Sequence, residues 1–461
     1  MNNLAGFCFL WSIAELFQLT IFAGGTPVLL RFLLVFSSAW VLLRPFSFRA
    51  ILALILLQMI DVLRRLPFLF DNWWLVFFVD SAFLLVLVCS TISSRRFPPS
   101  GDDFFKKLAP IIRVEVLLFY LFPFFAKLNV DFLTPEFSCA TFHYLQLSKI
   151  IPFLPTAMGA TAVCLALLVE GAIPLLLVFP KARLAGIVLA AFFHFMMGIN
   201  RFDNNILYGF SALFIALLSF FWPFNLGWRQ YSLQRALTLL FLGLALFISI
   251  KGTTAFGIQL ALWLWWFYGL SFLSLLLWFL TRRSGRNLVW PGRQSFFGFR
   301  PFPYVLLPLA IFLNGLSPYI GSKTVGSFTF HSNLQTEAGV SNHLIFPSSF
   351  QFLNFQKDLV RIVGSSDPVL QRQAERKNLW PYFSLRVYLH EAIRRGGKKI
   401  EIRYVRGGQE RRVENAGADP EFLTPPPFLL RKLLFFRAVR PGERTSPECK
   451  NPAEWGQFFI S

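Results

Sequence analysis

The sequence predicts an all-α polytopic membrane bundle of about eleven transmembrane helices, followed by a small C-terminal α+β domain outside the membrane. Two features of composition predict the bundle: 55% of the 461 residues are hydrophobic and only 15% are charged, and the mean hydropathy is +0.55. The C-terminal domain is predicted by a change of composition after residue 320, where residues of both charges occur together with Gly and Pro. Such a chain is not an ordinary soluble globular protein.

Eleven apolar runs are each long enough for roughly 17 to 25 helical residues. Three of them contain Glu15, Glu170 or His194, and the shorter runs could be re-entrant instead. The N-terminal run lacks a basic region and a cleavage site, so we expect it to be retained as a span or an interfacial helix. The runs cover residues 3–22, 26–43, 50–66, 72–93, 111–128, 157–179, 184–200, 205–223, 236–250, 255–281 and 302–320.

The connecting loops predict the orientation of the bundle. Alternate loops place fifteen Lys and Arg residues on one side and five on the other. Because basic loop residues favour the cytoplasm, the N-terminus is expected inside and the C-terminal domain outside. Much of the net charge of +20 is therefore explained by basic residues in the predicted cytoplasmic loops. A nucleic-acid partner is disfavoured, since the basic residues are spread over short loops.

Residues 1–320 thus form one predicted domain and residues 321–461 a second, extracytoplasmic one. "SFTFHSNL", "DLVRIV" and "KKIEIRYVRGGQERRVE" alternate as strands do, and Gly407-Gly408 predicts a hairpin. "PYFSLRVYLHEAIRRGG" has helical spacing and a Gly stop. "LTPPPFLLRKLLFFRAVRP" is ambiguous: it could pack as a strand or helix, which we favour, or lie as an amphipathic segment on the bilayer.

Three ionisable residues inside apolar runs are the candidate catalytic residues: Lys127, Glu170 and His194. A bilayer rarely accommodates such groups without a function. Glu170 and His194 lie on two helices joined by a basic turn, both about 16 Å from the same boundary, and Lys127 lies roughly 24 Å up its own helix. The three could line one cavity that opens outward, and desolvation of the lysine amine suggests proton abstraction.

Structural explanations stay open for each of the three. Lys127 could extend to the interface, His194 could bond to a neighbouring helix, and Glu170 could be a neutral buried acid or a partner of His194.

Cys139 and Cys449 are both predicted outside the cytoplasm, so a disulfide between them is possible. His331 and His343 have no recognised metal spacing and are interpreted as ordinary surface or domain residues.

Residues 167–223 resemble the core of the HTTM (horizontally transferred transmembrane) family, which is the vitamin K-dependent γ-carboxylase-like family. The likeness consists of Glu170 and Gly171 near the end of one run, a basic turn, Phe193-His194 with Met196, and an aromatic run from about Ile206. Residues 119–133, "FYLFPFFAKLNVDFL", are similar to the aromatic segment that carries the family's lysine.

The resemblance implies that Lys127 is the base of an outward cavity that binds a quinol, such as vitamin K hydroquinone, or a lipid. It places His194 in the same cavity. Carboxylases have Asn where this chain has Met197 and often Trp where it has Phe132, and the tail of about 140 residues is too short for their luminal region. Carboxylation of a protein substrate is therefore the less favoured activity.

Two other classes remain open. A noncatalytic membrane scaffold or secretion partner would not need Lys127. A transporter would need a polar pathway, often with internal repeats, but no clear repeat is present and residues 204–336 contain no acidic residue.

Overall fold

A computed structural model describes residues 3–22, 25–155, 158–199, 201–202, 205–222, 231–251, 255–283, 297–299, 301–396, 399–439 and 444. The N-terminal part is a helical bundle, and every predicted apolar run contains a helix. Its helices are α1 (Asn3–Phe22), α2 (Val28–Leu43), α3 (Phe48–Arg65), α4 (Asp71–Ser94), α5 (Gly101–Ala126), α6 (Val130–Leu133), α7 (Cys139–Ile150), α8 (Gly159–Val178), α9 (Arg183–Ile199), α10 (Tyr208–Leu217), α11 (Tyr231–Lys251), α12 (Ala255–Arg283) and α13 (Leu306–Leu316).

Five of the described helices are long and apolar enough to cross a membrane: Asn3–Ile21, Asp71–Ser94, Gly101–Ala126, Gly159–Val178 and Phe256–Leu277. The other apolar runs hold shorter apolar helical stretches, such as Ala236–Ile248 within α11, or, in α3, more charged residues. The membrane prediction is confirmed at this coarser level, and a count of eleven transmembrane helices stays a prediction.

The helices differ in how they face their surroundings. In α1, 94% of the most apolar window is buried, so this helix lies inside the bundle. In α8 the corresponding share is only 22%, and Leu165, Leu168 and Leu175 are exposed. An apolar helix with an exposed apolar face is what a bilayer-facing position requires. α8 therefore forms one outer wall of the bundle.

The chain between the bundle and the sheet, residues 321–358, packs on the bundle. The strand predicted from "SFTFHSNL" is wrong, because Phe328, His331 and Asn333 have positive φ angles of 60°, 51° and 57°. Left-handed residues interrupt an extended strand. The backbone N–H groups of Phe328 and Phe330 donate to the Asp71 carboxylate instead of to a neighbouring strand.

A four-stranded antiparallel sheet forms the core of the C-terminal part. Its order is β4-β3-β5-β6, with β3 (Leu359–Ser365), β4 (Leu379–Pro381), β5 (Ile402–Arg406) and β6 (Gln409–Val413); β1 (Arg201–Phe202) and β2 (Asn205–Ile206) make a separate short hairpin. Gly407 and Gly408 have φ angles of +57° and +82°, which two-residue hairpin turns require. The predicted hairpin is confirmed.

Three helices pack on this sheet, α14 (Pro368–Glu375), α15 (Tyr382–Gly396) and α16 (Pro420–Leu423), and a further short helix, α17 (Phe428–Leu433), follows them. α15 is the helix predicted with a Gly stop and ends at Gly396. The α+β prediction is confirmed for this region. The ambiguous segment divides into two parts, because α17 has no buried residue whereas Leu434, Phe435 and Phe436 are buried.

Candidate functional site

A cavity of about 210 Å³ lies among α5, α7, α8, α9 and α10, and residues 323–331 close part of it. We call these residues the strap, because Phe328, Phe330 and His331 from it line the cavity. Most of the other walls are Phe, Leu and Ala side chains. The volume is below the usual range for a drug-sized ligand. It suits a ring-sized head group better than a whole lipid.

All three predicted site residues line this cavity, and two of them are in direct contact. Lys127 follows the last residue of α5, and its Nζ lies 2.7 Å from Oε2 of Glu170 on α8. The side chains are only 6% and 13% exposed. Lys127 therefore does not simply extend to the interface. Its charge is offset within the wall by the Glu170 carboxylate.

The close approach of α5 and α8 positions this ion pair. Gly171, next to Glu170, faces the Phe124 ring of α5, and a Cβ atom at this glycine would lie 2.9 Å from that ring. A larger residue would push the helices apart. The Lys127 backbone N–H donates to the carbonyls of Pro123 and Phe124, which fixes the lysine at the helix end.

His194 does not contact the ion pair but pairs with a tyrosine that the sequence did not single out. Its Nε2 lies 2.6 Å from the Tyr120 hydroxyl, and its ring stacks on Phe214 with centroids 4.4 Å apart. Its Nδ1 is buried and has no hydrogen-bond partner among the described residues. One ring nitrogen is thus used in a contact between α5 and α9, and the other has no such contact among the described residues.

Tyr120 and Lys127 lie on one face of α5. Seven residues separate them, which is two helical turns and about 10 Å. Pro123 lies between them, and all three line the cavity. The cavity therefore has two polar ends, the Lys127–Glu170 pair and the Tyr120–His194 pair, with aromatic walls between.

A histidine pair, also absent from the predicted site, contributes to the lysine end. The rings of His143 on α7 and His331 in the strap meet edge to face with centroids 4.3 Å apart, and both are buried. Burial and the charge of Lys127 lower the pKa of His143 to about 3. Burial, His143 and Lys127 lower the pKa of His331. Both rings are therefore neutral at physiological pH.

The interpretation of His331 and His343 as surface residues is wrong, and the alternative of an ordinary domain residue agrees with His343. They are 4% and 6% exposed. His343 Nδ1 accepts from the N–H groups of Ile345 and Phe346, so its Nε2 donates to the Phe125 carbonyl at 2.9 Å. His343 thus ties its loop to the end of α5, whereas His331 faces the cavity. Their spacing in sequence carries no signal of either position.

The strap is held against α4. Asp71, which lines the cavity, accepts from the N–H groups of Phe328 and Phe330 at 3.0 and 3.2 Å. Gly326 has a φ of +67°, and a Cβ atom there would lie 2.4 Å from the Leu69 carbonyl oxygen. Lys323 is buried over the Trp74 ring, and burial lowers its pKa to about 7 although Asp71 raises it. These contacts fix Phe328 and Phe330 in the wall.

No group of three or more His, Cys, Asp or Glu residues that could hold a metal occurs in the described part of the chain. Cys139 is buried and disulfide-bonded, and Cys8, Cys89 and Cys164 are free thiols. Cys449 lies outside the described residues, so its pairing with Cys139 stays a prediction.

No family model, curated protein or solved structure matches this chain. The family resemblance therefore stays a prediction.

Proposed function

We propose that this protein is a multipass membrane protein of the HTTM or vitamin K-dependent γ-carboxylase-like type, whose cavity binds the head group of a quinol- or lipid-like molecule and whose Lys127 acts as a base. The observation that carries the proposal is the Lys127–Glu170 ion pair at 2.7 Å in the wall of an aromatic cavity. A buried charge pair beside a ligand-sized space is typical of a functional site.

The contact between the two side chains supplies a route to a free amine. Proton transfer from the Lys127 ammonium to the Glu170 carboxylate leaves an uncharged amine and an uncharged acid, so no net charge is created in the apolar wall. The amine can then take a proton from a ligand hydroxyl that reaches it. A bound quinol would supply such a hydroxyl together with a redox-active ring.

The remaining polar groups orient the ligand. His194 Nδ1 has no hydrogen-bond partner among the described residues and could bond a second polar group of the ligand. The neutral His143 and His331 rings add no positive charge beside Lys127. The aromatic walls from Phe119 and Phe210 favour a flat ring. We place the N-terminus in the cytoplasm and the C-terminal domain outside, as the loop charges predict.

Native mass spectrometry with lipid extraction tests the proposal. We expect gently purified wild-type protein to carry a quinone or lipid, and Lys127→Ala to lose it. Lys149→Ala is the matched control, because this lysine lies on α7 but is exposed, and it should retain the ligand. Thermal unfolding of each variant shows whether the fold is intact.

Lys127→Ala leaves Glu170 without its partner, so Lys127→Met combined with Glu170→Gln provides a second, uncharged variant. This double variant should fold and still lack the ligand. If neither the wild type nor any variant carries a specific ligand, the proposal fails and the scaffold or secretion-partner function is favoured. A ligand retained equally by all of them would exclude Lys127 from binding.

A further inference from the structure

α17 is a short helix with three exposed apolar side chains. Phe428, Leu429 and Leu433 are 63%, 68% and 46% exposed. The two basic residues of the helix are held by the protein instead: Arg431 Nη1 lies 3.3 Å from Glu391, and Lys432 donates to the Leu66 carbonyl at 3.2 Å. These contacts fix the helix on the protein while its three apolar side chains stay exposed.

These contacts place α17 at the end of the helical bundle. Leu66 follows α3 directly, and the neighbouring Phe68 packs edge to face on Phe435, with ring centroids 5.2 Å apart. The next helix along the chain, α4, begins at Asp71 and is long and apolar enough to cross a membrane. α17 thus lies where the chain between α3 and α4 would emerge from a bilayer.

The exposed apolar surface of α3 leads toward the same place. Leu56, Ile60 and Leu63 are 45%, 53% and 49% exposed, and their spacing puts them on one stripe of the helix. The stripe runs to the end of α3, beside Leu66, where Lys432 of α17 is bound. Acyl chains that covered this stripe would therefore reach the end of α3 to which α17 is bound.

The residues after α17 connect it to the cavity. Phe435 accepts at its carbonyl oxygen from the N–H groups of Thr324 and Val325 at 3.3 and 3.1 Å, and Arg437 N–H donates to the Thr324 hydroxyl at 3.2 Å. Thr324 and Val325 belong to the strap, which supplies Phe328 to the cavity wall. A displacement of α17 would be transmitted to this wall through only a few residues.

We propose that α17 is an interfacial membrane anchor, which inserts Phe428, Leu429 and Leu433 among the lipids of the leaflet on the side of the C-terminal domain and thereby holds the strap over the cavity. A short helix that exposes Phe and Leu side chains and whose basic residues are bound by the protein is suited to the boundary of head groups and acyl chains. The inference depends on the membrane location of the bundle and not on the chemistry of Lys127.

Spin-label accessibility in nanodiscs of phosphatidylcholine and phosphatidylglycerol tests the insertion. Cys89 and Cys164 are replaced by Ser, and a nitroxide is attached to Leu429→Cys. Leu168→Cys on the outer face of α8, 68% exposed, is the lipid control, and Gln409→Cys on the exposed edge strand β6 is the aqueous control. We expect the oxygen-to-nickel accessibility ratio at 429 to be several-fold above that at 409 and close to that at 168. A ratio at 429 equal to that at 409 would overturn the insertion.

Hydrogen exchange tests the link to the strap. The double variant Phe428→Ser and Leu429→Ser changes only exposed side chains, so its fold should be intact. We expect several-fold faster exchange of the Phe328 and Phe330 amides, which are bonded to Asp71. Leu344→Ser, at another exposed leucine, should leave them unchanged. Unchanged exchange in the double variant would refute the role in holding the strap.

Discussion

Two polar clusters within the apolar bundle differ in what surrounds them. The packed cluster consists of Trp11, Glu15 and Gln58: Gln58 donates to Glu15 at 2.7 Å and accepts from the Trp11 indole at 3.0 Å. All three are at most 1% exposed, and none of them lines the cavity. This cluster joins α1 to α3 away from the cavity.

The cavity cluster consists of Tyr120, Lys127, Glu170 and His194, all on the wall of the cavity. Its ion pair and its hydrogen bond join α5 to α8 and α9, yet His194 Nδ1 has no partner in the described part of the protein. The comparison shows that an ionisable residue in an apolar helix can lie either in a packed contact or in a cavity wall. Glu15 and Glu170 both interrupt apolar runs, and only the second lines the cavity.

The largest effect is expected in the packed cluster. Gln58→Leu removes the donor to Glu15 and the acceptor of the Trp11 N–H, and each buried group left unpaired costs about 1–3 kcal/mol. The free energy of unfolding should fall by about 2–6 kcal/mol in total, measured by denaturant unfolding in detergent. The folded fraction should keep any cavity ligand.

Leu56→Ala is the control for this change, because Leu56 is on the same helix but exposed. Its effect on stability should be small. Wild-type stability of Gln58→Leu would mean that the packed cluster contributes nothing, and the contrast with the cavity cluster would be lost.

A smaller effect is expected from pH at the lysine end of the cavity. The pKa of His143 is lowered to about 3 by burial and by Lys127, whereas an unfolded histidine titrates near 6.5. On acidification below that value, the unfolded chain therefore binds a proton that the folded protein does not. This contribution to stability is complete above pH 6.5 and is lost as pH falls toward 3, by about 2 kcal/mol between pH 7 and pH 5.

Denaturant unfolding of the wild type and of His143→Gln at about pH 7 and pH 5 measures the contribution of His143 to the free energy of unfolding. Carboxyl groups elsewhere titrate in both proteins, so the difference between the two pH dependences isolates His143. The pH dependence of stability should be weaker in the variant by about 2 kcal/mol. Equal pH dependence would show that this histidine is accessible to protons and that the cavity is more open than its walls indicate.

The smallest effect is expected for Tyr120→Phe, which removes the hydroxyl bonded to His194. Loss of one such bond should lower the free energy of unfolding by about 1 kcal/mol, because the cavity leaves space for water to replace it. Tyr144→Phe is the control, since its hydroxyl bonds to the Pro155 carbonyl at an exposed position. A loss as large as that of Gln58→Leu would mean that both clusters are equally tightly packed.

Local patterns in the sequence predicted much of the fold. Each apolar run contains a helix, because the length and apolar content of a segment are local properties. The hairpin at Gly407 and Gly408 was predictable because the turn needs two residues with positive φ. The strand predicted around Phe328 was wrong. The alternating pattern there could not show that the Phe328 backbone N–H donates to Asp71.

The candidate site was predicted only in part. Lys127, Glu170 and His194 were recognisable because charge and imidazole are rare within apolar runs. Tyr120 and His143 carry no such signal, and His331 lies outside the apolar runs. A tyrosine in an aromatic segment and a single histidine in a short helix are common features. The sequence does not show which residues they contact.

The sequence by itself determined the helical bundle, the α+β module and the three ionisable residues, because composition, periodicity and turn chemistry act over short stretches of chain. Only the tertiary structure decided that Glu170 contacts Lys127, that Tyr120 is hydrogen-bonded to His194, and that the ring of His331 packs on that of His143. These contacts join residues far apart in the chain. Their existence depends on how the helices pack and where that packing leaves a space.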